Sequence, residues 1–130
     1  MTYRVTRPDE LQWITRPHEE GEPARHVAEL IELERFAYMR ASLWRYEPGA
    51  KGRRHRHPLQ EETFVVLDGT LSMYVGEPPM RQDVSRGGAI RIDPGTALQS
   101  VNHQDEDLLV YVYGTPPETS NAELLEPAVP

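Results

Sequence analysis

Apolar and polar residues alternate with a period of two in several short runs, and glycine or proline interrupts nearly every run. Half-buried strands joined by tight turns produce that pattern. Tyr38 to Tyr46 is one predicted strand, ended by Pro48-Gly49, and Arg53 to His57 is the next. Pro58 stops it, because proline has no N–H to give a central ladder. A connection over Pro58 to Glu61 leads into a strand from Glu62 to Leu67. Asp68-Gly69 then predicts a type I′ hairpin, pairing Leu67 with Thr70, Val66 with Leu71, Phe64 with Met73 and Glu62 with Val75. On that register Glu62, Phe64, Val66, Leu71, Met73 and Val75 share the buried face. The other face, Thr63, Val65, Leu67, Thr70, Ser72 and Tyr74, is more polar.

Downstream, Gly76 to Gly88 reads as a loop holding a short edge strand around Met80 to Val84. Ala89 to Asp93 is a strand with Ile90 and Ile92 inward and Arg91 outward, and Leu98 to Val101 resumes pairing after the Pro94-Gly95 turn. Asn102 to Asp107 reads as a charged hairpin loop. Leu108 to Tyr113 is nearly all apolar, as in a strand covered on both faces. The upstream pattern is weaker. Residues 1–21 are polar, with Trp13 and Ile14 as the anchors, while Ala24, Val27, Ala28 and Ile31 fall at helical spacing. From Pro116 onward a tail of Pro, Glu, Ser and Thr is expected on the surface.

One stretch combines this pattern with chemistry. His55 and His57, two apart on a strand, point to the same side, about 6.5 Å apart along the chain. Arg54 and Arg56 point to the other. Glu62 lies on the face that should be buried, where an unpaired carboxylate is costly. Two imidazoles arriving from a neighbouring strand supply a partner, either directly or through a shared cation. Two neutral imidazoles and one carboxylate suit Fe(II), Mn(II), Ni(II), Zn(II) or Cu(II), and ligand identity does not choose among them.

The spacing Gly49-x5-His55-x-His57-x4-Glu62-x6-Gly69 resembles the first motif of the cupins. That resemblance implies an all-β jelly roll, the double-stranded β-helix barrel, with a divalent metal held by His55, His57 and Glu62. The second cupin motif, Gly-x5-Pro-x-Gly-x2-His-x3-Asn, is matched only in part, by Gly87-x5-Asp93-x-Gly95-x2-Leu98-x3-Asn102. Asp93 stands for the proline, and Leu98 stands for the histidine that would be a fourth ligand. Either three protein ligands suffice, or the metal site is degenerate. The implied layout is an N-terminal extension over residues 1–35, of strand or short helix, a barrel over 36–114 and a Pro-rich tail over 115–130. Phe64, Met73, Ile90, Ile92 and Leu98 are expected as the apolar walls of the pocket.

Other candidates rank lower. Gln99 neighbours the replaced ligand, but alternation turns it away, and only a bulge would bring it in. His18, His26 and His103 read as surface or interface residues. Glu61 faces outward unless the register slips. Tyr111 and Tyr113 are expected to pack in the last strand, and Tyr38, Trp44 and Tyr46 to serve packing and dimer contacts.

Charge and composition trim the range of functions. The 130 residues carry a net charge of −7, which disfavours nucleic acid as a partner. Lys51, Arg53, Arg54 and Arg56 are the local exception, read as a solvated face pairing with surface carboxylates rather than as a funnel for anions. Without cysteine there is neither disulfide nor thiolate site. No apolar run approaches the ~20 residues of a membrane span, so a cytoplasmic protein without membrane partners is expected. A homodimer is expected from exposed barrel edges. Two functions follow: a metal-dependent oxygenase or isomerase of a small molecule, or a ligand-binding, sensing barrel without turnover.

Overall fold

The computed structural model describes residues 3–31, 38–117 and 122–130. In chain order its strands are β1 (Ile14–Thr15), β2 (Arg25–Glu29), β3 (Arg40–Tyr46), β4 (His55–Arg56), β5 (Glu61–Asp68) and β6 (Thr70–Val75). Then come β7 (Met80–Ser85), β8 (Ala89–Ile92), β9 (Leu98–Val101), β10 (Leu108–Thr115) and β11 (Glu123–Leu124). They form two antiparallel sheets, ordered β1-β2-β3-β10-β5-β8 and β11-β4-β9-β6-β7. The fold is an all-β jelly roll. Val66, Leu71, Met73, Ile92, Leu108 and Val110 are buried between the sheets and form the heart of the core. Among the described residues no helix is long and apolar enough to cross a membrane.

The expected hairpin at Asp68-Gly69 is not formed. β5 pairs with β10 on one side and β8 on the other, whereas β6 pairs with β7 and β9. Both edges of β5 are taken, so β6 has none to join. The chain instead steps from one sheet to the other, and the four pairings from Leu67–Thr70 to Glu62–Val75 do not occur. The faces survive this error. The corner shifts the alternation by one residue, leaving Phe64 and Val66 of β5 and Leu71 and Met73 of β6 buried and Leu67 exposed, with Ser72 buried as well.

Gly69 makes the corner. Its φ is +85°, and an added Cβ would lie 3.0 Å from the Asp107 carbonyl oxygen and 3.2 Å from the Leu108 Cα. Both obstacles are backbone. Gly21 has a similar φ of +82° with nothing within 4 Å of that position. Gly21→Ala is therefore expected to cost about 1–2 kcal/mol, the left-handed penalty alone. Gly69→Ala should cost distinctly more, on the order of 10 °C in Tm, because backbone must move as well. Thermal melts of the two variants separate strain from space; equal losses would show that the corner is not tightly packed.

Three further expectations change. Val27 and Ala28 belong to a strand, β2, which lies between β1 and β3, while Ala24 just precedes it and Ile31 follows it. About two turns of helix barely repay nucleation, while a strand here pairs along its whole length with β3 and at Val27 and His26 with β1. Trp13 and Ile14, read as anchors, are 39 % and 59 % exposed, although Ile14 does enter a short strand, β1, as that reading allowed. Residues 102–107 cross between the sheets rather than closing a hairpin. There Asn102 is fully buried, and its Nδ2 donates to the carbonyls of Tyr46, Glu47 and Glu106.

The C-terminal segment is docked. β11 pairs with β4, setting Leu124 against His55 and Glu123 against Arg56. Gln99 is 2 % exposed. Its Nε2 donates to the carbonyls of Gly52 and Val129, and its Oε1 accepts from the backbone N–H groups of Ala128 and Val129, all at 2.9–3.1 Å. Arg54 donates to the Glu126 carbonyl, and Lys51 donates to the Pro130 carbonyl oxygen. The basic run is thus partly a clasp for this segment.

Candidate metal centre

β4 is only two residues long, held to β9 through His55 opposite Leu98 and to β11 through His55 opposite Leu124. His55 therefore lies between two leucines. On the facing sheet, β5 brings Glu62 between Gly114 of β10 and Ile92 of β8. The closing of the sheets sets these groups together. One ligand atom each from His55, His57 and Glu62 lies within 4.8 Å of the other two. The two imidazole rings meet edge-on, with centroids 4.9 Å apart at 86°.

The details favour coordination over hydrogen bonding. The Nε2 atoms of His57 and His55 stand 3.1 and 3.9 Å from Glu62 Oε1. Yet Glu62 Oε1 is buried and receives no hydrogen bond, despite the closeness of these nitrogens. An oxygen in that position is expected to find a donor. Two ligands on one transition-metal ion, with bonds near 2.1 Å, lie about 3–4 Å apart. The separations here fall in that range, so the donor set fits a small divalent cation. His55 is prepared for it as well. Its Nδ1–H donates to the Arg53 carbonyl at 2.8 Å, which leaves the Nε2 lone pair directed at Glu62. Burial lowers the His55 pKa below the usual imidazole value, outweighing the opposing pull of the Arg53 carbonyl and of Glu62, and so favours the neutral ring.

A cavity of about 360 Å³ opens beside these groups. Phe64 and Leu98 line it as expected. Met73, Ile90 and Ile92 do not: Met73 and Ile92 are buried in the core and Ile90 packs against it. They face inward, but on the part of the barrel that side chains fill. The cavity instead runs over β2 and β3, where Arg25, Val27 and Glu29 alternate with outward residues, as do Ser42, Trp44 and Tyr46. Trp44 and Tyr46 are thus cavity walls and not only packing. Gln60 also lines it, its Nε2 donating to the Pro116 carbonyl. The signal for these positions was the period-two pattern of β2 and β3, which becomes informative once both strands are known to join one sheet.

The remaining candidates stay outside. Gln99 faces away from the cavity and holds the C-terminal segment. His103 pairs with the Tyr74 hydroxyl at the surface. His18 bonds the carbonyls of Glu19 and Glu22. His26 bridges Thr15 Oγ1 and Glu47, and this hydrogen bond holds the Glu47 carboxyl below its usual pKa. Glu61 is exposed, and Tyr111 and Tyr113 pack against each other, centroids 5.6 Å apart, away from the cavity.

Solved structures share this architecture. A double-stranded β-helix protein from Klebsiella pneumoniae is 22 % identical, covering 96 % of this chain and 99 % of its own, with a TM-score of 0.73. A predicted oxalate decarboxylase from Thermotoga maritima is 18 % identical over 86 % of this chain and 98 % of its own, with a TM-score of 0.76. The polyketide cyclase RemF from Streptomyces resistomycificus reaches the same score at 18 % identity, covering 99 % of this chain and 89 % of its own. No curated protein sequence is a significant match. The cupin domain model matches residues 42–114, from within β3 to within β10, and so includes both imidazoles, Glu62 and Leu98. With more than half its length matched and the barrel in place, this chain belongs to the cupin family.

Proposed function

We propose that the chain binds a small organic molecule beside a divalent metal ion held by His55, His57 and Glu62, and acts on it as a metal-dependent oxygenase or isomerase. The observation that carries this reading is the buried Glu62 Oε1, which lacks a hydrogen bond while two imidazole nitrogens converge on it. A bound cation there supplies Lewis acidity and, with a redox-active metal, access to oxygen chemistry. The chain's own groups do the rest. The Arg53 carbonyl fixes the His55 tautomer, Glu62 contributes the negative charge, and Trp44, Phe64 and Leu98 keep an apolar wall around the ligand. The solved relatives named as a predicted oxalate decarboxylase and a polyketide cyclase put catalysis on this fold, without assigning a reaction to this chain.

A second reading, a sensing barrel that binds without turnover, is favoured by Leu98. It is 2 % exposed and stands directly opposite His55, so an apolar wall replaces the fourth ligand. Elemental analysis of protein expressed with metals supplied and purified without chelator tests the proposal. One transition metal per chain, lost in His55→Ala, is expected. A metal-free parent would leave the second reading.

A further inference from the structure

The cavity holds more positive charge than its own carboxylates neutralise. Arg16, Arg25, Arg40 and Arg53 line it, against Glu29 and Glu62. Glu29 is engaged by Arg40 at 2.8 Å, and Glu62 faces the two imidazoles. No carboxylate within ion-pair distance is left for Arg16, Arg25 or Arg53 among the described residues. This excess sits inside a chain of net charge −7, so it is a local arrangement and not a reflection of overall composition.

Arg25 is the centre of it. Its guanidinium carbon lies 5.1 Å from the Trp44 ring centroid and 5.8 Å from that of Tyr46. Tyr46 is itself fixed by a 2.6 Å hydrogen bond between its hydroxyl and Ser100 Oγ. Contact with aromatic rings orients the planar group without using its N–H donors. Gly52 adds room: a Cβ there would meet Ser100 Oγ at 2.6 Å and stand 3.6 Å from an Arg25 terminal nitrogen. A guanidinium so oriented, its donors unused among the described residues, in a cavity with apolar walls, is built to receive a planar or tetrahedral oxyanion.

We propose that the cavity takes a small organic anion whose carboxylate or phosphate oxygens pair with Arg25, assisted by Arg53, while its apolar body lies along Trp44 and Phe64. This deepens the reading of the cavity as a ligand site but does not depend on the metal. Calorimetric titration of the metal-loaded protein with benzoate, phenyl phosphate and neutral benzamide tests it. At least one anion is expected to bind about tenfold or more tighter than benzamide, and the favoured one identifies the oxyanion. Arg25→Gln should reduce that preference to about twofold or less with metal content unchanged, and Arg25→Lys, which keeps charge but not the planar fork, should fall between. Should the Arg25 variants fail to fold, Arg53→Gln, on an exposed loop, should still weaken the anion by about threefold or more. Glu62→Ala separates the two proposals: an anion preference that survives loss of the metal upholds this one alone. Equal binding of all three probes would overturn it. So would an anion preference kept in Arg25→Gln and Arg53→Gln but lost in Glu62→Ala, since the anion would then sit on the metal.

Discussion

Glu62→Gln is expected to weaken divalent-metal binding by at least about a hundredfold while leaving the metal-free protein as stable as the parent or more so. The two effects have opposite signs for one reason. Loss of a supporting hydrogen bond around a metal costs about 10–100-fold in affinity, and loss of a charged ligand should cost more. In the metal-free protein, however, Glu62 Oε1 is a buried carboxylate oxygen without a hydrogen bond. Replacing it with a neutral amide removes a desolvated charge. If His57 and Glu62 instead formed a working ion pair, breaking it would destabilise the fold by several kcal/mol, about 3–5 for a buried pair. Metal titration and thermal melting with and without chelator distinguish the cases, and a clear loss of metal-free stability would count against the coordination reading.

Leu98→His should act in the reverse sense. The position is directly opposite His55 in the β4–β9 ladder and lines the cavity, so an imidazole there reaches the same space as the other three groups. A fourth ligand is expected to raise metal affinity by about tenfold or more, near 1.4 kcal/mol. The metal-free variant should pay for it, since a leucine that is 2 % exposed is exchanged for a polar ring, at about 2–3 kcal/mol. Chelator competition and melting again read both quantities. Unchanged affinity would mean that the three existing groups cannot share an ion with position 98.

The site was legible where it depended on local spacing, and not where it depended on which strands become neighbours. His55, His57 and Glu62 lie within eight residues, and alternation alone sets their directions. Phe64 followed from the same rule, and Leu98 from the place it takes in the second cupin motif. Arg25, Trp44 and Tyr46 meet the site only because β2 joins β3 and β3 joins β10. Nothing in a stretch of five residues reports that order. The Asp68-Gly69 pair shows the limit in another form: a type I′ turn needs φ > 0 at both residues, and only Gly69 has it, so the pair marked where the chain bends but neither the turn type nor the edge free to receive the next strand. Met73, Ile90 and Ile92 were correctly turned inward, yet an inward direction does not tell filled interior from open cavity.

Gln99 carries a consequence for how far the chain could drift. Its amide offers hydrogens to two carbonyls and takes hydrogens from two backbone nitrogens, so one side chain does for the C-terminal residues what a length of ladder would do. Glutamate would face Gly52 and Val129 with oxygen against oxygen, leucine would strand all four partners, and asparagine is one methylene short. Among the coded amino acids a single choice meets that demand, which makes position 99 far less free to vary than its place beside a substituted ligand would imply.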